Sequence, residues 1–184
     1  MSKKTIGIIV GSLRKESFNK SIANYVASLI PVDYEVKFID VQDVDMFNQD
    51  LEGNPPASWI RLRKEVKEAD AYLFFTPEYN RSIPGVLKNV LDVASRPYGQ
   101  SAWAHKPAGV ISVSMGALGA FGANHSLRQV LSFLDIYPMQ QPEAYIGGVM
   151  SLLDEKGNLV NEDTKKFLND YVKAFIAWIE KFNS

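Results

Sequence analysis

The stretch "GSLRKESFN", residues 11–19, gathers the hydroxyls of Ser12 and Ser17, the guanidinium of Arg14 and the amide of Asn19. It follows the apolar run from Ile6 to Val10 and precedes a helical pattern in which Ile22, Val26, Leu29 and Ile30 share a face. Free backbone N–H groups at a helix N-terminus carry a partial positive charge of about half a unit and favour an anion. Hydroxyls with one arginine suit a terminal phosphate monoester, which needs several donors around one group. The other reading is structural: Ser17 caps the helix and Arg14 is solvated. The loop matches neither G-x-G-x-x-G nor G-x-x-x-x-G-K-[ST], the common nucleotide phosphate fingerprints.

Two further loops have unusual composition. "TPEYNRSIPG" places Pro77 and Pro84 around a polar turn of Glu78, Tyr79, Asn80 and Arg81. Stiffness of that kind helps where backbone groups must meet a flat ligand. Tyr79 fits beside an aromatic ring system or, in a plain β-α turn, over the core; Asn80 suits the turn itself. "SMGALGAFGAN" carries Ser114, Met115, Gly116, Gly119 and Gly122. Its glycines permit positive φ and close approach of backbone to a ligand, or serve only a flexible connection.

These loops need a frame, and the pattern of the chain supplies one. Strands are expected over residues 5–10, 34–40, 71–76, 108–114 and 139–146, and helices over 18–29, 57–69, 84–94, 124–134 and 162–182. Such alternation predicts an α/β parallel sheet with helices on both faces. "AYLFF" and "AGVISVS" are continuous apolar runs, as central strands require, whereas "YEVKFID" alternates and belongs near an edge. Residues 41–56, with Asp43, Asp45, Asp50, Gly53 and Asn54, read as a surface excursion before a helix that Pro56 starts. In a five-stranded sheet of order 2-1-3-4-5, ligands bind beyond the carboxyl ends of the strands, between the first and third. The three loops leave the first, third and fourth strands, so that order makes them neighbours.

Composition limits the alternatives. The 184 residues, 46% of them hydrophobic, suffice for one well-buried core and are short for two, so a single domain over residues 1–184 is expected. A net charge of −1 provides no positive field for nucleic acid or an anionic membrane. Basic clusters such as Arg61 to Lys64 have acids nearby and read as solvated faces. Cysteine is absent, which excludes thiolate nucleophiles and thiolate metal sites, and His105 and His125 lack the i, i+4 spacing of a zinc helix. No metal site is expected. The apolar run 5–10 is too short for a signal peptide and no span suits a membrane, so a soluble, cytoplasmic protein is expected.

"GSLRKESFNKSIA", "PEYNRSIPGVLKNVLD" and "SMGALGA" followed by "LRQVLSFL" resemble the NADPH-dependent FMN reductase family, in matching order and spacing through "QPEAYIGG". The family includes quinone, chromate and azo-compound reductases. The resemblance implies a flavodoxin-like three-layer sandwich binding one FMN per subunit. Ser12, Arg14, Ser17 and Asn19 would hold the phosphate; Pro77, Glu78, Tyr79 and Asn80 would run beside the isoalloxazine ring; Ser114, Gly116 and Gly119 would line the remaining loop. Family members often have a second glycine where this chain has Ala120. Relatives form dimers or tetramers with the flavin near the subunit contact. Arg128 and Glu143 match positions that pair between subunits in some relatives, or are surface charges here.

A flavin accounts for the missing catalytic set, because FMN itself accepts hydride. NADPH or NADH would stack on the ring, deliver hydride and leave, and a small-molecule electron acceptor such as a quinone or azo compound would take its place, a ping-pong cycle. Two other classes remain. A flavodoxin-type electron carrier generally docks through a strong one-sign field, which this near-neutral chain lacks. A nucleotide or phosphate-ligand sensor would use the same pocket without turnover.

Overall fold

The computed structural model describes residues 3–182. Six strands alternate with five helices: β1 (Lys4–Val10), α1 (Phe18–Leu29), β2 (Tyr34–Phe38), α2 (Ala57–Glu68), β3 (Ala71–Thr76), α3 (Gly85–Ala94), β4 (Pro107–Val113), α4 (Phe121–Phe133), β5 (Tyr137–Pro138), β6 (Ala144–Ile146) and α5 (Glu162–Glu180). All pairings in the sheet are parallel, in the order β2-β1-β3-β4-β5, with β6 also pairing β4. This is the expected α/β order, with one strand more.

Period-two alternation sorts each central strand onto two faces. Ile6, Ile8, Leu73, Phe75, Ile111 and Val113 pack under α1 and α5, with Ile22, Val26, Tyr171 and Phe175. Ile9, Tyr72, Phe74, Ala108 and Val110 pack under α2, α3 and α4, with Leu62, Val66, Leu87, Val90 and Leu127. Residues 71–76 are buried throughout, because both faces of β3 are covered. Each large aliphatic or aromatic side chain so buried contributes about 1.5–3 kcal/mol. The alternating strand is indeed the edge strand β2, where Glu35 and Lys37 are exposed.

The expected fifth strand, 139–146, is instead two short strands, β5 and β6. Met139 N still donates to Ala108 O, but Pro142 has no N–H to continue the ladder, and pairing resumes only at Ala144 opposite Ile111. Pro56 and Pro84 stand as N-caps just outside α2 and α3. The excursion before α2 is held by Asn89 of α3, whose Oδ1 accepts from Phe47 N and whose Nδ2 donates to Val44 O and Asp45 O. The cluster at 61–64 is only partly matched by acids: Arg61 meets Asp43 and Glu65, but Arg63 meets none among the described residues. Among the described residues no helix is long and apolar enough to cross a membrane.

Candidate functional site

The register Val10↔Phe75 and Thr76↔Ser112 ends β1, β3 and β4 at a common edge. All three unusual loops therefore emerge side by side, and residues 11–17, 77–84 and 114–120 surround that edge.

In the first loop, Gly11 N donates to Phe75 O at 2.8 Å, which anchors the turn to β3. Ser17 caps α1, its Oγ accepting from Lys20 N at 3.3 Å. The capping reading is thus correct, yet the hydroxyl proton remains available for a ligand. Arg14 forms no ion pair or hydrogen bond with a described residue; its guanidinium lies 5.2 Å from the centroid of the Phe18 ring. Asn19 is buried, donates weakly through Nδ2 to Val113 O at 3.5 Å, and leaves Oδ1 without a partner. A buried acceptor lacking a donor is costly unless a ligand supplies one. A cleft of about 440 Å³ opens between this loop and the end of β2, lined by Ser12, Arg14, Lys20, Phe38 and Asp40 among others.

The second loop is a tight two-residue turn. Tyr79 N donates to Ser82 O and Ser82 N to Tyr79 O, while Asn80 and Arg81 both have positive φ, 53° and 68°. That is the geometry of a type I′ turn, which asparagine tolerates and arginine rarely adopts. Tyr79 is 49% exposed and does not cover the core. Glu78 bridges the turn to α4: its Oε2 accepts from Ala123 N at 3.0 Å at the start of the helix, and Arg81 of the turn lies 3.7 Å from its Oε1. Gly122 makes room for this, since a Cβ there would stand 2.9 Å from Glu78 Oε2. The carboxylate favours the helix N-terminus, and α4 begins at Phe121, three residues before the expected start at Asn124.

In the third loop Gly119 and Gly122 serve packing, whereas a Cβ on Gly116 would meet only Ser114 Oγ, at 3.9 Å. Gly116 O accepts from Gly119 N, Gly148 N and Ser114 Oγ. A Cβ on Gly119, whose φ is +57°, would lie 2.6 Å from Tyr145 C, and one on Gly147 would lie 2.3 Å from Ala117 O. The loop is therefore pressed against β6. Ala120 keeps a left-handed conformation (φ 59°, ψ 42°) despite its methyl group.

Several groups at this edge were not evident from sequence. Ser112 Oγ donates to Gly119 O at 2.6 Å, and the fully buried Asn124 donates to Ser112 Oγ and Ala144 O. Arg128 donates to Asn124 Oδ1 and Met139 O, with Glu143 3.8 Å away in the same chain. With its side chain only 14% exposed, Arg128 is not a surface charge. Phe121, His125 and Tyr145 form an aromatic group, and Tyr145 OH donates to Glu143 at 2.6 Å. Burial and this carboxylate push the Tyr145 hydroxyl up to about 12. The period of α4 marks its buried stripe, but nothing local tells a buried asparagine from an exposed one.

Residues 5–151 match the family model of the NADPH-dependent FMN reductases. Over 177 residues the chain is 51% identical to a quinone reductase of Pseudomonas putida, spanning 96% of this chain and 95% of that one. It is 45% identical to a 2-hydroxy-1,4-benzoquinone reductase of a Burkholderia species, across 95% of both chains. Among solved structures, FerB, a flavoenzyme NAD(P)H:(acceptor) oxidoreductase from Paracoccus denitrificans, superposes with a TM-score of 0.91 at 41% identity, covering 97% of this chain and 98% of that one.

Proposed function

This chain belongs to the NADPH-dependent FMN reductase family and is an oxidoreductase, and on that premise we propose that it carries hydride from NADPH or NADH through one bound FMN to quinones and azo compounds in a ping-pong cycle. The observation that carries this reading is the first loop, where Arg14 has no ion pair or hydrogen bond with a described residue and Asn19 Oδ1 is buried without a donor. FMN, when bound, supplies the hydride chemistry, so the chain needs no nucleophile of its own.

The work of the residues is binding and orientation. The hydroxyls of Ser12 and Ser17, the Arg14 guanidinium and the backbone N–H groups at the start of α1 hold the phosphate. Asn19, whose Oδ1 can only accept a hydrogen bond, would meet a donor of the cofactor rather than its phosphate. Pro77, Glu78, Tyr79 and Asn80 run beside the ring, and backbone amides of this loop would donate to its polar edge, where negative charge builds on reduction. Ser114, Gly116 and Gly119 line the opposite side. Exposed Tyr79, Met115, Leu118 and Phe121 then become the wall that keeps water from the ring when a second copy covers them, in a homodimer or homotetramer. The whole chain acts as one domain, in the cytoplasm.

The test is the visible absorption spectrum of protein mixed with FMN and desalted. Retained flavin that bleaches on anaerobic NADPH and recovers with benzoquinone, with parallel lines in double-reciprocal plots, is expected. Flavin that is retained but not bleached would indicate an electron carrier, and no retained flavin would refute the cofactor.

A further inference from the structure

The outer face of α2 carries a second candidate site, apart from the three loops. Ile60, Arg63, Lys64 and Lys67 recur at i, i+3, i+4 and i+7 and share one face of the helix, with Arg63 bordering the buried stripe of Trp59, Leu62 and Val66. They form one wall of a cleft of about 520 Å³ whose other wall is Gln100, Ser101 and Ala102. The neighbouring acids do not neutralise it. Glu65 is turned to Arg61 at 3.0 Å, and Glu68 reaches Lys64 only at 3.9 Å.

Arg63 distinguishes this cleft from an ordinary solvated face. It makes no hydrogen bond or ion pair with a described residue, and its Nε is shut off from solvent with no acceptor. A desolvated guanidinium N–H without an acceptor is unfavourable, and the terminal nitrogens of the same planar fork offer donors at the spacing of phosphate oxygens. Lys67 adds charge at the end of the helix, and Ile60, more than half exposed, gives an apolar floor beside Ala102. Lys106 Nζ donates to Val66 O and Lys67 O at 3.0 Å and holds that end of α2 against the start of β4, at the opposite end of the sheet from the three loops.

We propose that this cleft binds a small organic phosphate, its phosphate on Arg63 and Lys67 and its organic part over Ile60 and Ala102. Several cations around one group favour a dianionic phosphate over a carboxylate. The site is independent of the flavin reading and concerns a different ligand.

The experiment is a titration of ¹⁵N-labelled, FMN-loaded protein with phenyl phosphate and, separately, inorganic phosphate, against sodium chloride at equal ionic strength. Saturable amide shifts at Arg63, Lys67 and Ser101 are expected, tighter for phenyl phosphate, and Arg63→Met, which keeps the side-chain stem, should weaken binding at least about tenfold. Shifts that do not saturate, binding unchanged in Arg63→Met, or shifts confined to residues 11–19 with release of flavin would each overturn the proposal. Flavin retention is read in the same sample by its visible absorption, so failure of the cofactor reading is seen separately from failure of the cleft.

Discussion

The two ends of the parallel sheet are built from the same strands and differ in how their polar groups are met. At the amino end most are met internally, Arg63 Nε excepted. Asp70 Oδ2 accepts from Thr5 N at 2.7 Å, Tyr72 OH and Lys106 Nζ both donate to Val66 O, Trp103 Nε1 donates to Leu91 O, and His105 Nδ1 lies 3.0 Å from Asp135. At the carboxyl end Asn19 Oδ1 is unpartnered, Arg14 is unpaired, and Asn80, Arg81 and Ala120 hold left-handed backbone. Side-chain polar groups are thus mostly satisfied at one end and left open around the three loops at the other, while left-handed backbone occurs at both, at His105 and Asp135 as well as at Asn80, Arg81 and Ala120.

Substitutions should separate the ends. The largest effect is expected from Trp103→Ala, which removes a fully buried ring stacked edge-on to Tyr72 at 5.0 Å. Denaturant unfolding should show a loss of about 3–5 kcal/mol, while flavin affinity per folded molecule stays within about twofold. A large loss of flavin affinity in the folded fraction would break the division. Arg14→Ala should do the reverse: FMN binding weakens by about 2 kcal/mol in a fluorescence-quenching titration, with the melting temperature of the flavin-free protein unchanged. Unaltered affinity would remove Arg14 from the site.

Titration adds one group from each end, Lys106 and Tyr145, whose contributions change with pH in opposite directions. Burial lowers Lys106 to about 8 from an ordinary 10.5. Between those values the unfolded chain binds more protons, so stability rises with pH across that window, and Lys106→Met should flatten the rise by about 1 kcal/mol after allowing for solvent screening. Tyr145 is raised from 10.0 to about 12, first by burial and then by Glu143. Its contribution is full below pH 10 and is lost as pH climbs toward 12, so Tyr145→Phe should soften the alkaline loss of stability. Urea unfolding at a series of pH values reads both. The smallest effect belongs to Ala120→Gly, where relief of left-handed strain slightly exceeds the entropy cost of glycine; a gain of about 0.5 kcal/mol in unfolding free energy is expected.

Much of this architecture is legible in sequence because burial has a period. α1 and β3 fall where their apolar patterns place them, and the continuous runs of β3 and β4 identify the strands covered on both faces. The three loops were legible too, since their composition exceeds what a connection needs. Partner choice was not. Glu78 could have faced the ring or the helix, and the contact that decides it, to Ala123 N, spans 45 residues.

The sequence by itself determined the alternation of strand and helix, the loops that gather at one edge, and the family to which those loops belong. Each is written in spacing over a few residues, where the period of the backbone alone sorts side chains. Tertiary structure alone decided that the fifth strand breaks at Pro142, that Gly119 and Gly147 press a loop onto β6, that Arg128 is enclosed, and that Arg63 is left without an acid. Those outcomes depend on which distant groups the register of a twisted sheet brings within hydrogen-bonding distance, and no local pattern encodes that distance.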